Sequence, residues 1–293
     1  MGEILIGTSS WADRLLLASG WYPPSATTPQ ARLEYYAGRF PLVEADTSFY
    51  AIPAPEVTSG WAQHTPEDFT FNVKAFSLFT GHSARAGELP PDLRPAGVAS
   101  EQRLRRRDLP EDAYDRLWER FHDSLAPLAA KGKLGAVLLQ FPPTLTCGPR
   151  SFARILETAQ RCQPLRVAVE FRHRSWFTVD NAEETLTFLA KNDLSFCCVD
   201  MPQGHIHSVP PILMATADPA MVRFHGHSKQ WATGDKREKF RYAYPEEELI
   251  RWAAKLRELS TEASEVHVLF NNCCAGQAQH DAAALAAILG VAD

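Results

Sequence analysis

Eight short runs of β-branched and aliphatic residues constrain this 293-residue chain more than any other feature. They lie at Ile4–Gly7, Leu42–Asp46, Thr70–Lys74, Ala136–Gln140, Val167–Glu170, Ser195–Asp200, Val222–His225 and Val266–Phe270. A strand with one wet face alternates apolar and polar residues, whereas a strand covered on both faces does not. Runs such as Ala136-Val-Leu-Leu139 and Val266-His-Val-Leu-Phe270 are of the second kind. They require a parallel sheet with helices packed over it.

Between the runs, apolar residues recur every three or four positions. The series are Leu33/Tyr36/Ala37/Phe40, Tyr114/Leu117/Trp118/Phe121/Leu125/Leu128, Phe152/Ile155/Leu156/Ala159 and Leu249/Trp252/Ala253/Leu256/Leu259. Each describes a helix with one buried stripe. Pro245 followed by Glu246, Glu247 and Glu248 marks a helix start, because proline fits the first turn and carboxylates favour the positive end of the helix dipole. Asp281 to Leu289 reads as a closing helix. Strand and helix repeated to a count of eight predict an α/β fold, a TIM-type (β/α)8 barrel forming one domain over 1–293, with a doubly wound open sheet as the alternative. Two connections break the rhythm. The segment 76–112 is too long for an ordinary loop and predicts a lid or insertion after strand 3. The segment 201–220, with Pro202, Pro210, Pro211 and Pro219, predicts an irregular connection between strands 6 and 7.

A composition of 45% hydrophobic and 22% charged residues supports a full core, and a net charge of −5 excludes a protein that coats nucleic acid through general basicity. The opening Met-Gly-Glu-Ile-Leu-Ile-Gly has neither a basic start nor an apolar stretch long enough for a signal peptide or span, so the expected compartment is the cytoplasm, with no membrane partner. Ile6 stands where a myristoylation motif needs Ser or Thr. The six cysteines, at 147, 162, 197, 198, 273 and 274, contain no Cys-x-x-Cys and read as buried thiols rather than a zinc ribbon or disulfide framework.

In a barrel of this type the active site gathers at the C-terminal ends of the strands. Here those ends read Thr8-Ser9-Ser10-Trp11, Glu44 and Asp46, Lys74, Gln140, Glu170 with Arg172 and His173, Asp200, Arg223 with His225, and Asn271-Asn272. Taken singly, each has a structural reading: Asp200 and Asn272 as caps, Arg172 with Glu44 as a salt bridge, Gln140 as a loop anchor. Eight polar strand ends together predict a ligand-binding mouth, since burying such groups unpaired costs several kcal/mol each. The predicted catalytic residues are Glu170, Lys74 and His225. The predicted ligand-binding residues are Trp11, Asp46, Gln140, Arg172, Trp176, Asp200, Arg223, Asn271 and Asn272. No cofactor and no metal-ligand set is predicted.

Three chemistries suit these residues. In the first, Lys74 and Arg223 hold an anionic group such as a phosphate while Glu170 or His225 moves a proton. In the second, Glu170, Asp200 and His225, with His173 or His227, bind divalent metal as in barrel endonucleases. The spacing closes no three- or four-ligand set, so no tightly bound transition metal is expected. In the third, Trp11, Trp21, Trp176 and Trp231 stack bases of a nucleic acid while Arg103, Arg105, Arg106 and Arg107 meet phosphates. Packing tryptophans and a solvated arginine face are the simpler reading. There is no Gly-x-Gly-x-x-Gly, nucleophile elbow or His-Glu-x-x-His. A functional rather than structural pair at Glu170 and Lys74 predicts that Glu170→Gln and Lys74→Met leave the melting temperature nearly unchanged or raised while abolishing ligand binding.

The ordered strings Gly7-Thr-Ser-Ser-Trp11, Val43-Glu-Ala-Asp-Thr-Ser-Phe-Tyr50, Trp61-Ala-Gln-His-Thr-Pro66, Phe71-Asn-Val-Lys-Ala75, Leu139-Gln-Phe-Pro-Pro143, Val169-Glu-Phe-Arg-His-Arg-Ser-Trp176, Arg223-Phe-His-Gly226 and Phe270-Asn-Asn272 resemble the YecE-like family, the domain of unknown function numbered seventy-two. The likeness runs from residue 4 to about 285. It implies a TIM-type barrel, attaches no activity, and points to Glu170, Arg172, Lys74, Gln140, Arg223 and Asn272 as motif positions. The sequence departs from the family pattern at Asp46, at His227 and at Gly81, which interrupts a Thr-His pair.

Overall fold

Each apolar run forms a strand. The computed structural model describes residues 1–231, 236–272 and 274–291. Its barrel strands are β1 Glu3–Thr8, β2 Leu42–Ala45, β3 Thr70–Lys74, β4 Leu134–Gln140, β5 Val167–Glu170, β6 Ser195–Asp200, β7 Ala220–Phe224 and β8 Glu265–Phe270. All eight are parallel and pair in sequence order, and β8 returns to β1 in register from Glu3↔Glu265 to Thr8↔Phe270. This last ladder removes both sheet edges and excludes the doubly wound alternative, which leaves two edges open.

The helices are α1 Arg14–Ala18, α2 Pro29–Ala37, α3 Pro55–Gln63, α4 Glu111–Ala130, α5 Pro149–Cys162, α6 Ala182–Lys191, α7 Lys236–Lys239, α8 Glu246–Leu259 and α9 Gln277–Leu289. Local chemistry sets their starts. Thr28 accepts a hydrogen bond from the Ala31 backbone N–H ahead of Pro29, and Asp13 accepts from Leu15 and Leu16. The apolar stripe of α4 buries Leu117, Trp118, Phe121, Leu125 and Leu128, as its spacing predicts. The closing helix begins four residues earlier than Asp281, at Gln277, because Asp281 is drawn into the interior by Gln277, Asn272 and the Tyr244 backbone N–H.

The insertion after strand 3 is built from three 3-10 turns and a short antiparallel ladder of Ala84–Arg85 with Arg103–Leu104. Leu89, Leu93, Leu104 and Leu109 anchor it to the core. The connection between β6 and β7 carries neither helix nor strand, as its prolines predict. Among the described residues, no helix is long and apolar enough to cross a membrane. The five described cysteines are free.

Candidate functional site at the barrel mouth

Arg223 of β7 is wholly buried and donates to two carboxylates, Glu44 of β2 and Glu170 of β5. Glu170 accepts a second cation from Arg172, two residues beyond its own strand. Arg172 in turn donates to His225 Nε2 at 3.0 Å and reaches Gln140 Oε1 at 3.3 Å. Strand ends of β2, β4, β5 and β7 are therefore joined in one network. Burial works against the charge on Glu170, but the Arg172 and Arg223 guanidiniums and the His225 ring outweigh it and hold the carboxyl well below its ordinary range. Burial pushes Glu44 the other way, upward, with Arg223 opposing.

His225 is also wholly buried, and burial with the adjacent Arg172 depresses it to about 3, so the ring is neutral. Its Nε2 faces both the Arg172 guanidinium, at 3.0 Å, and Glu170 Oε1, at 3.5 Å. The Asn271 side-chain amide nitrogen lies 3.0 Å from Nδ1.

A second group faces outward from this network. Lys74 Nζ lies 2.7 Å from Asp46 Oδ1 and 4.5 Å from the centre of the Phe49 ring. His82 also packs against that ring, edge-on with centroids 5.0 Å apart, and His82 Nδ1 is 3.0 Å from Thr80 Oγ1. Burial, aided by the nearby charges of Lys74, Arg172 and Arg154, lowers His82 to about 4. Arg154 comes from the second turn of α5 and crosses Gly81, where a Cβ would lie 2.7 Å from its Cζ. Gly81 also holds φ at +86°, so both its missing side chain and its backbone freedom are used. Among the described residues the Arg154 guanidinium has no hydrogen-bond or ion-pair partner.

The depressed His82 has a stability consequence. Its folded value lies below the ordinary 6.5, so the unfolded chain takes the proton first. Stability from this group is present above pH 6.5 and declines as pH falls toward 4. Urea midpoints measured across that window should fall with acidity in the wild type and fall less in His82→Gln. An equal slope in both proteins would contradict the burial of this ring among cations.

The other predicted site residues lie elsewhere. Trp176 is wholly buried with its indole N–H on the Leu145 carbonyl at 2.8 Å, and Trp11 packs edge-on against Trp61 and Phe71. Both are packing residues in this structure. Asp200 and Asn272 are bonded to groups outside the Arg223 network. Asp200 accepts from Tyr244 at 2.8 Å, and Asn272 donates to Asp281 Oδ2 at 2.6 Å and to the Tyr242 carbonyl. His173 closes a local turn on Ser175. In the arginine run, Arg106 lies over the Tyr114 ring and pairs with Glu111, and Arg103 donates to Ser83, whereas Arg105 and Arg107 are not similarly engaged through their side chains at short range. A cavity of about 980 Å³ lies outside the barrel, lined in part by Ile6, Trp21, Phe40 and Gln279, and contains none of the strand-end ionisable groups. Convergent charge, not volume, marks the mouth.

The family described as Protein of unknown function DUF72 matches residues 5–293. The chain belongs to the DUF72 family. It is 35% identical to the UPF0759 protein YunF of Bacillus subtilis (strain 168) over 282 residues, covering 94% of this chain and 90% of that one. Among solved structures it is similar to a DUF72 family protein of Enterococcus faecalis V583, with a TM-score of 0.79, 28% identity and coverage of 98% and 95%. A DUF72 family protein of Thermotoga maritima MSB8 gives a TM-score of 0.78, 27% identity and coverage of 98% and 99%. These likenesses run the whole length of the barrel.

Sequence reasoning reached the inner network and Lys74 through the strand-end rule. It missed Arg154, which stands on a helix with no motif around it, and gave His82 no role. Nothing in the spacing of either residue signals the mouth, because tertiary packing alone sets Arg154 over Gly81 and His82 beside Phe49.

Proposed function

We propose that the DUF72 barrel mouth of this chain binds a small anionic ligand through Lys74, Arg154 and Arg172, and that His82 exchanges a proton with it. The observation that supports this reading most is the bracketing of one neutral imidazole by three cations, of which Arg154 lacks an acceptor among the described residues. A phosphate or carboxylate supplies the acceptor oxygens that guanidinium and ammonium donors lack. Arg223 is wholly buried and pairs with two carboxylates through its terminal nitrogens, so in this reading it positions Arg172 through Glu170 and does not meet the ligand. The proton moves to or from His82, because His225 has both nitrogens engaged inside the network.

An anion set between these cations raises the affinity of His82 for a proton, so binding is coupled to proton uptake and tightens as pH falls. Calorimetric titration with inorganic phosphate and with glycerol phosphate, in buffers of different ionisation enthalpy, reads affinity and proton uptake together. Arg154→Gln is expected to weaken binding by about tenfold to a hundredfold, the scale of one charge-assisted hydrogen bond. Lys74→Met should weaken it similarly, and His82→Gln should remove the proton uptake. Wild-type affinity in Arg154→Gln would overturn the reading. Single-stranded DNA should bind weakly at physiological salt. Tight, salt-sensitive binding lost when Arg105, Arg106 and Arg107 become alanine would transfer the function to nucleic acid.

A further inference from the structure

A separate group of side chains stands behind the rim, at the tops of β6 and β7 and the start of α8. Gly226 takes φ +77° and donates its N–H to the Tyr244 hydroxyl, and a Cβ there would lie 3.0 Å from Tyr242 Cγ. The left-handed turn breaks the alternation of the strand, so that His225 joins the inner network while His227 faces Asp200 and Glu248. Glu248 reads in the sequence only as one of three carboxylates favouring a helix start. The fold brings it to a histidine 21 positions earlier in the chain.

We propose that Asp200, His227 and Glu248 form a binding site for one divalent transition-metal ion. One ligand atom from each residue lies within 4.8 Å of the others, a span that small side-chain movements close around an ion. The remaining oxygen of each carboxylate is already held: Tyr244 donates to Asp200 Oδ2 at 2.8 Å and Tyr242 donates to Glu248 Oε2 at 2.7 Å. Hydroxyl donors in those places leave the other oxygen of each carboxylate facing His227, and such hydrogen bonds are how an outer shell orients metal ligands. Burial fits this as well. The Asp200 and Glu248 side chains are 5% and 12% exposed, whereas His227 at 37% leaves an entry from solvent.

Without an ion the His227 ring bridges the two carboxylates, with Nε2 2.9 Å from Asp200 Oδ1 and Nδ1 3.5 Å from Glu248 Oε1. An imidazole, even when protonated, balances at most one of those two negative charges. A divalent ion balances both, takes one ring nitrogen and releases the proton. An imidazole with two carboxylates favours zinc or manganese over calcium, whose sites are all oxygen. Three protein ligands leave coordination positions open to water. The site is independent of the anion reading, since Lys74, Arg154 and His82 take no part in it.

Chelator-treated protein titrated with Zn2+ by calorimetry, and with Mn2+ by loss of the free-ion resonance signal, tests the site. Binding of one ion per chain is expected. Glu248→Gln and Asp200→Asn should weaken it by about a hundredfold, and Tyr242→Phe, which leaves all three ligands in place, by about tenfold. Glu247→Gln, on the exposed neighbour, should bind as the wild type does. Absence of saturable binding by the wild type would overturn the proposal and leave His227 as a hydrogen-bonded bridge between the two carboxylates. Binding unchanged in both Glu248→Gln and Tyr242→Phe would overturn it by placing the ion elsewhere.

Discussion

Glu170→Gln is expected to destabilise the protein by about 3 kcal/mol or more, the scale of breaking a buried ion pair from one side. The strand-end reading of the sequence predicts a melting temperature nearly unchanged or raised, on the assumption of a partly wet carboxylate. The Glu170 side chain is instead fully buried, with Arg223 on one oxygen and Arg172 on the other. Gln supplies one acceptor oxygen and no charge, so Arg223 keeps only Glu44 and the Arg172 guanidinium loses its strongest partner. Glu44 cannot fully compensate, since burial already pushes its own carboxyl toward the neutral form. Arg172 then loses its position at the mouth, and phosphate affinity should fall along with stability. Lys74→Met is a contrast: its partner Asp46 is 28% exposed, water reaches the stranded carboxylate, and the stability loss should be much the smaller of the two. Urea or thermal melts of both variants decide the matter. A Glu170→Gln protein as stable as the wild type would return Glu170 to the role of a solvated carboxylate.

Gly7→Ala is the second large effect, expected at about 3 kcal/mol, the upper part of the range for an overpacked interior. Gly7 belongs to β1, opposite Leu42 of β2. A Cβ at this position would lie 2.6 Å from the Leu42 carbonyl carbon and 3.1 Å from the Tyr36 hydroxyl. Neither neighbour can yield cheaply. Leu42 is ladder backbone, and the Tyr36 hydroxyl donates to the Leu42 carbonyl at 2.9 Å while accepting from the Thr8 N–H at 2.8 Å. The missing side chain is what allows α2 to clamp the first two strands. A methyl group should part β1 from β2 and open the barrel at that seam, with early hydrogen exchange of the Thr8 amide as its local signature. Protection of that amide equal to wild type, at unchanged stability, would show that the seam can absorb the methyl.

Much of this protein is local chemistry and therefore legible in order. Runs such as 136–140 and 266–270 form strands because an unbroken apolar segment must be covered on both faces, and α4 buries the residues that its three-and-four spacing predicts. The strand-end rule likewise reached Glu170, Arg172, Gln140 and Arg223, because side chains at the C-terminal ends of parallel strands converge whatever lies between them. Burial and partnership are properties of the closed barrel. Whether Trp176 stacks on a ligand or on Phe171, whether Glu170 is wet or held by two guanidiniums, and whether Glu248 serves a helix dipole or meets His227 depend on atoms far away in the chain. Spacing cannot encode those encounters. Arg154 reaches His82 only because α5 packs against the turn at Gly81, so the group most open to an anion came from the tertiary structure alone.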